Sequence, residues 1–443
     1  MRKTNFFVRI LLVIAVLISM VLSFLIWTNN QRYERKTDTD TTVTDLSVTN
    51  RQSLREVYLP TQIITVNADQ GKHLIYNHKE SLVTALTKLI GKWQFSPVQK
   101  AQSSYQDLVQ APNTMQMVYA DQFSLTLFSE INKQPELKQT QQKKGKKQQD
   151  HVFDRLVIKT TGKIKQVYFL NDVTKQVWRS KIEPVSTKKL TKLIAACDFQ
   201  LPITQQTLGK KLCVFYPQTV SLQPYSYLTL QQNENTYISA LLSQDKKTDV
   251  DSRESGGRTT YYGGKYHNQL VVDHRDNQLE FTDNSQTTLP TNFSKLLKES
   301  VNLLTDVGNP LTDIRYARVD RSNQSVAFRN YVEGFPIFQQ SNYGAAKVTF
   351  SNSGSHINFS NLVLQVPVPT RDQKVTLPST KVVLQKLLAV GYQESDFQNV
   401  MLGYHWQVDQ ESNEIVDLIP TYYLEMNDHW QDYCDLLSDK GVS

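Results

Sequence analysis

A chain of 443 residues with 39% hydrophobic, 21% charged and 10% aromatic side chains is ordinary globular material, long enough for two or three cores. The formal charge of +7 is modest, and its densest run, Lys143, Lys144, Lys146 and Lys147, lies amid Gln without interleaved aromatics, which argues for a solvated loop and against nucleic-acid binding. Three cysteines, Cys197, Cys213 and Cys434, with no CxxC, exclude zinc-ribbon and thioredoxin-like chemistry and do not describe a disulfide scaffold; Cys197 and Cys213 could pair, but structural thiols are the expectation.

Residues 10–27 carry no charge, Gly or Pro. About thirteen Leu, Ile, Val or Phe side chains at roughly −0.4 kcal/mol each favour membrane insertion by on the order of −5 kcal/mol. About 18 residues in a helix span roughly 27 Å, enough to cross a bilayer core. Trp27 closes the run where an interfacial aromatic belongs, and no small-x-small cleavage site follows it. The expectation is a retained anchor, with 1–9 as a short basic cytoplasmic tail and 28–443 exported, in a single-pass protein of the cell membrane. Ala15, Ser19 and Ser23 recur at i, i+4 and i+8 within it. Such a small-xxx-small face lets another helix approach closely; chance is the alternative, since Ala and Ser are common in membrane helices.

Residues 28–57 are polar, rich in Thr, Asp, Asn and Arg, and read as a stalk. Folded material begins near Tyr58-Leu59-Pro60, with a strand at 63–66 and a helix over 81–93, where Leu82, Leu86, Leu89 and Ile90 share a face. A Lys/Gln loop covers 133–150. Strand-like alternation follows at 153–159, 166–170 and 176–178, then a helix from Ser186 to about Cys197. A second block has a polar loop at 246–258, strands at 261–266, 269–273 and 278–282, and a helix over 292–307 stopped by Gly308-Asn309-Pro310. A third has strands at 314–319, 325–332, 336–340, 347–350, 356–366, 401–408 and 415–425, with a helix over 379–390. Meanders with segregated helices imply an α+β class rather than a parallel βαβ sheet. The expected domains are 58–210, 211–310 and 311–443.

No catalytic constellation stands out. HExxH, GxSxG and a Gly-rich phosphate loop are absent. Ser186-x-x-Lys189 and Ser243-x-x-Lys246 match SxxK, a pattern common by chance, and no KTG accompanies them. The calcium-like start Asp249-Val250-Asp251 fails because Glu254 stands where the loop demands Gly. Asp273-His274-Arg275-Asp276 reads as a solvated turn. No catalytic residue, metal ligand or cofactor is expected.

The segment Tyr331-Val332-Glu333-Gly334-Phe335-Pro336-Ile337-Phe338 reads as a structural hairpin. Gly334 permits a positive φ, Pro336 fixes the restart of the next strand, and Tyr331 and Phe338 pack near one another. The same segment resembles the Tyr-x-x-Gly-x-Pro-hydrophobic-Phe stretch of the YycH family of Gram-positive bacteria, and the related stretch of YycI. Asp417-Leu418-Ile419-Pro420 with Tyr422-Tyr423 is similar to that family's end strand, and the basic start, single span and large exported portion match its plan. The resemblance implies a YycI-like third domain and a non-enzymatic accessory regulator of the sensor histidine kinase WalK (YycG). It would act with a YycI-like protein through membrane-helix and exported contacts to govern cell-wall metabolism. A wall-associated enzyme with an unrecognised site, or a polymer-binding surface scaffold, is the alternative.

Overall fold

The computed structural model describes Ser19 and residues 53–77, 81–138, 150–242, 250–263, 267–285, 288–307, 314–338, 341, 344–368, 373–409, 412 and 414–440. Ser19 is helical and exposed; Ala15, Ser23 and the rest of the expected anchor lie outside the described residues. Among the described residues no helix is long and apolar enough to cross a membrane.

Nine strands form the first sheet. They are β1 (Gln62–Val66), β2 (Lys72–Tyr76), β3 (Gln99–Lys100), β4 (Thr114–Ser124), β5 (Val152–Lys159), β6 (Lys163–Leu170), β7 (Val177–Ser186), β8 (Phe199–Leu208) and β9 (Lys211–Phe215). Their order in space is β3-β7-β6-β5-β4-β1-β2-β8-β9. The helix Leu82–Ile90 begins at Ser81, whose hydroxyl accepts from the Thr84 amide, and buries Leu82, Leu86 and Ile90, the face its spacing predicts.

After β10 (Val220–Leu222), a larger sheet starts at β11 (Tyr225–Gln231), β12 (Asp251–Ser255), β13 (Arg258–Gly263), β14 (Asn268–Asp273) and β15 (Gln278–Asp283). It continues through β16 (Ile314–Asp320), β17 (Ser325–Val332), β18 (Phe335–Phe338), β19 (Ala346–Ser351), β20 (Gly354–Ser360) and β21 (Leu362–Val368). It ends with β23 (Asn399–Val408), β24 (Ile415–Met426) and β25 (His429–Asp432), while β22 (Val375–Leu377) pairs with β10. β15 pairs with β20 and β11 with β24, so residues before and after position 310 share this sheet. The strand pairs among the described residues are antiparallel except for β18 beside β23. The molecule is thus mostly sheet with a few helices, consistent with the α+β class.

The sequence loop 246–258 needs correction. Asp251–Ser255 is a strand, paired with β13 through Asp251↔Tyr262 to Ser255↔Arg258. Its side chains are all exposed, so no hydrophobic alternation marks it. The turn that closes it, Gly256-Gly257 with φ of +59° and +74°, is the pair a two-residue hairpin demands.

Two cores flank β1. Ile63 belongs to a cluster shared with Phe123, Phe153, Phe328 and Phe359 and with the helix Phe293–Val307. Ile64, on the opposite face as strand geometry requires, belongs to a cluster with Phe335, Trp406, Leu418 and the helix Thr380–Ala389. Both faces of the first sheet are therefore buried at β1, and the second sheet supplies much of the cover.

Candidate functional site

The hairpin Tyr331–Phe338 joins β17 to β18 with Tyr331 opposite Pro336 and Val332 opposite Phe335. Only Glu333 and Gly334 lie between, at φ +51° and +82°, the primed geometry that matches strand twist. A Cβ on Gly334 would stand 3.8 Å from the Tyr76 Cβ, so the position asks for backbone freedom rather than space. Phe335 meets Tyr76 edge-on at 5.3 Å. Phe338 stacks on Tyr423 at 3.7 Å and 14°, and the guanidinium carbon of Arg329 lies 4.2 Å from its centroid.

That ring separates two adjoining cavities. The first, about 360 Å³, is bounded by Tyr331, Pro336 and Phe338 of the hairpin, by Arg329 of β17, and by Glu425 and Trp430. Ala120 of β4 and Lys211 of β9 also reach it, so it sits where the first sheet meets the second. The neighbouring cavity, about 450 Å³, shares Arg329, Phe338 and Trp430 and adds His405, Tyr423 and Asp432.

Charge is organised around Glu425, which is buried. Its Oε1 accepts from Arg318 at 3.0 Å and its Oε2 lies 3.8 Å from the Lys211 ammonium. Arg318 also reaches Asp428, and Lys211 lies 3.9 Å from Asp121. Burial would lower the Lys211 ammonium, but Asp121 and Glu425 outweigh it and hold it above its ordinary value. Burial pushes the Arg329 guanidinium down to about 10, so it remains a cation at neutral pH.

In the second cavity burial raises the Asp432 carboxyl. The Asp432 Oδ1 accepts from Thr421 at 3.0 Å and from the Cys434 amide at 2.8 Å. His405 Nδ1 is 2.9 Å from the Tyr423 hydroxyl and 3.8 Å from Asp432. Neither Cys213 nor Cys434 is activated. Burial pushes Cys213 to about 11 and raises Cys434, opposite to a reactive cysteine. All three cysteines are free, and among the described residues no His, Cys, Asp or Glu group could hold a metal ion.

The structure brings Tyr331, Pro336 and Phe338 together on one cavity wall, while Gly334 turns toward Tyr76. Sequence reasoning missed Arg329, Lys211 and Glu425. A signal was present for Arg329: it interrupts the run Ser325–Val332 at a position two residues from Tyr331, hence on the same strand face.

The fold and its cavities define a two-sheet α+β protein with a charged, aromatic-lined recess between its sheets. The chain belongs to the YycH family: the N-terminal domain of YycH protein matches residues 6–197, and the C-terminal domain matches 213–440. Family membership implies a regulator of the YycG kinase. The crystal structure of YycH from Bacillus subtilis is similar to this one with a TM-score of 0.68 at 15% identity, covering 87% of this chain and 98% of that one. The crystal structure of an uncharacterized protein from Eubacterium rectale gives a TM-score of 0.28 at 10% identity, covering 52% of this chain and 88% of that one. A search of curated proteins finds no match.

Proposed function

We propose that this chain is a membrane-anchored, non-enzymatic accessory regulator of a WalK (YycG) sensor histidine kinase that controls cell-wall metabolism. It works beside a YycI-like partner. The membership of both halves in the YycH family carries this reading. The apolar run 10–27 supports it further: it suits a single-pass anchor with residues 28–443 exported. Ala15, Ser19 and Ser23 give that anchor a face on which kinase or partner helices can pack. The cell membrane is the site of action.

Crosslinking from positions in the anchor and the exported portion, followed by mass spectrometry on solubilised membranes, tests the proposal. Recovery of a sensor kinase, together with a changed kinase-dependent reporter on deletion of this chain, is the expected result. A crosslinked set without any sensor kinase, or an unaltered reporter, would overturn it.

A further inference from the structure

We propose that the 360 Å³ cavity at the hairpin is a receptor site for a small organic monocarboxylate, with Arg329 receiving the carboxylate. Two of the cations here, Arg318 and Lys211, are matched by carboxylates. Arg318 and Lys211 both meet Glu425, and each has a second carboxylate. Deep in the first sheet, buried Arg155 is held by Asp172. Arg329 is a buried cation without such a match. It is 5% exposed, makes one long hydrogen bond, from Nη1 to the Ile337 carbonyl at 3.4 Å, and has no ion pair among the described residues. A guanidinium carries five N–H donors in a fork that fits a carboxylate. The Phe338 ring beneath it offsets part of the charge, but a buried cation without a carboxylate partner is still costly, and a bound anion reduces that cost.

Other walls narrow the class. Lys347, opposite Ala327 on the adjoining strand, lines the same cavity and makes no ion pair among the described residues. It adds a second free cation. Arg329 lies against the Phe338 ring in an aromatic-lined recess, so the anion it receives should carry an apolar body, which favours an organic carboxylate over phosphate. Phe338, Trp430, Tyr331, Pro336 and Met401 offer apolar surface for the body of the ligand, and the volume suits a small molecule. The inference does not depend on the kinase reading.

The full chain in detergent micelles is titrated calorimetrically with phenylacetate, hexanoate, inorganic phosphate and hexylamine. Phenylacetate or hexanoate should bind, and phosphate and hexylamine should not. Arg329→Met should weaken the carboxylate by about ten- to a hundredfold, and Arg329→Lys should lose less. Ala317→Phe, which adds bulk to the cavity wall from β16 and leaves Arg329 in the sequence, should also abolish binding, and it keeps the test valid if Arg329→Met does not fold. Failure of both carboxylates to bind, equal binding by phosphate, or unchanged affinity in folded Arg329→Met or Ala317→Phe would each overturn the proposal.

Discussion

Arg155 grips Asp172 with two hydrogen bonds, Nε to Oδ1 at 3.1 Å and Nη2 to Oδ2 at 2.6 Å, inside the first sheet. Gln116 accepts from the same guanidinium at 2.8 Å, and the Tyr105 hydroxyl donates to Asp172 at 2.7 Å. Burial alone would raise the Asp172 carboxyl, but Arg155 outweighs it and holds it below its ordinary value. Removing one partner strands the other charge. Asp172→Asn should therefore cost about 3–5 kcal/mol in urea denaturation. The double change Arg155→Met, Asp172→Leu should cost less than the sum of its single changes; additive costs would show that the pair is not coupled.

Lys72 gives a pH signature. Burial disfavours its ammonium and Arg155 repels it, lowering it from 10.5 to about 8. Below pH 8 folded and unfolded chains both hold the proton, and the folded chain carries the full penalty. Between about pH 8 and 10 the unfolded chain binds more protons, so stability rises with pH through that window. Urea midpoints of wild type and Lys72→Met, compared across the window, should differ in slope, with the rise absent from the variant. Parallel slopes would refute the assignment.

Gly334 tests the hairpin. Its φ of +82° strains a β-branched side chain, so Gly334→Val should cost roughly 1–3 kcal/mol. Gly334→Asn should cost less, because Asn tolerates this region. An unchanged melting temperature for the Val variant would remove the conformational argument.

The anchor prediction bears on the proposed function. Ser19→Leu with Ser23→Leu keeps the span apolar, so insertion should survive. Bulk on the small-residue face should block close helix approach and remove about 0.6 kcal/mol per lost hydrogen bond. The double variant should fractionate with membranes, crosslink less to its partner helices, and shift reporter expression. Normal crosslinking and expression would mean that the helix only tethers, and that regulation runs through the exported portion.

Legibility followed chemistry that is local. Helix Phe293–Val307 was readable because Asn292 caps it, accepting from the Lys295 amide at 2.9 Å, and because Leu296, Leu297, Val301 and Leu304 repeat on one face. β17 ends where Glu333-Gly334 dictates a turn. What stayed hidden depends on distant partners. The expected strand 356–366 is two strands broken at Asn361, whose Oδ1 accepts from Tyr237 at 3.2 Å; one half joins β15 and β19, the other β11. β8 is half polar without regular alternation and is placed by pairing with β2 and β9. The site was half visible: Tyr331 and Phe338 of its aromatic wall lay in one readable motif, but Trp430, Lys211 and Glu425 come from positions far apart in the chain.

The helix Leu54–Val57 and Tyr58 open the continuously described part of the chain. Arg55 donates to the Ile131 carbonyl at 2.8 Å, beside the first sheet, and the Tyr58 hydroxyl donates to Leu297 at 2.6 Å, on the helix that covers the second. A pull applied at this turn would thus load both halves of the body together, instead of peeling one from the other. The attachment would act as a yoke, spreading any load applied at Leu54–Tyr58 across the line where the two sheets meet.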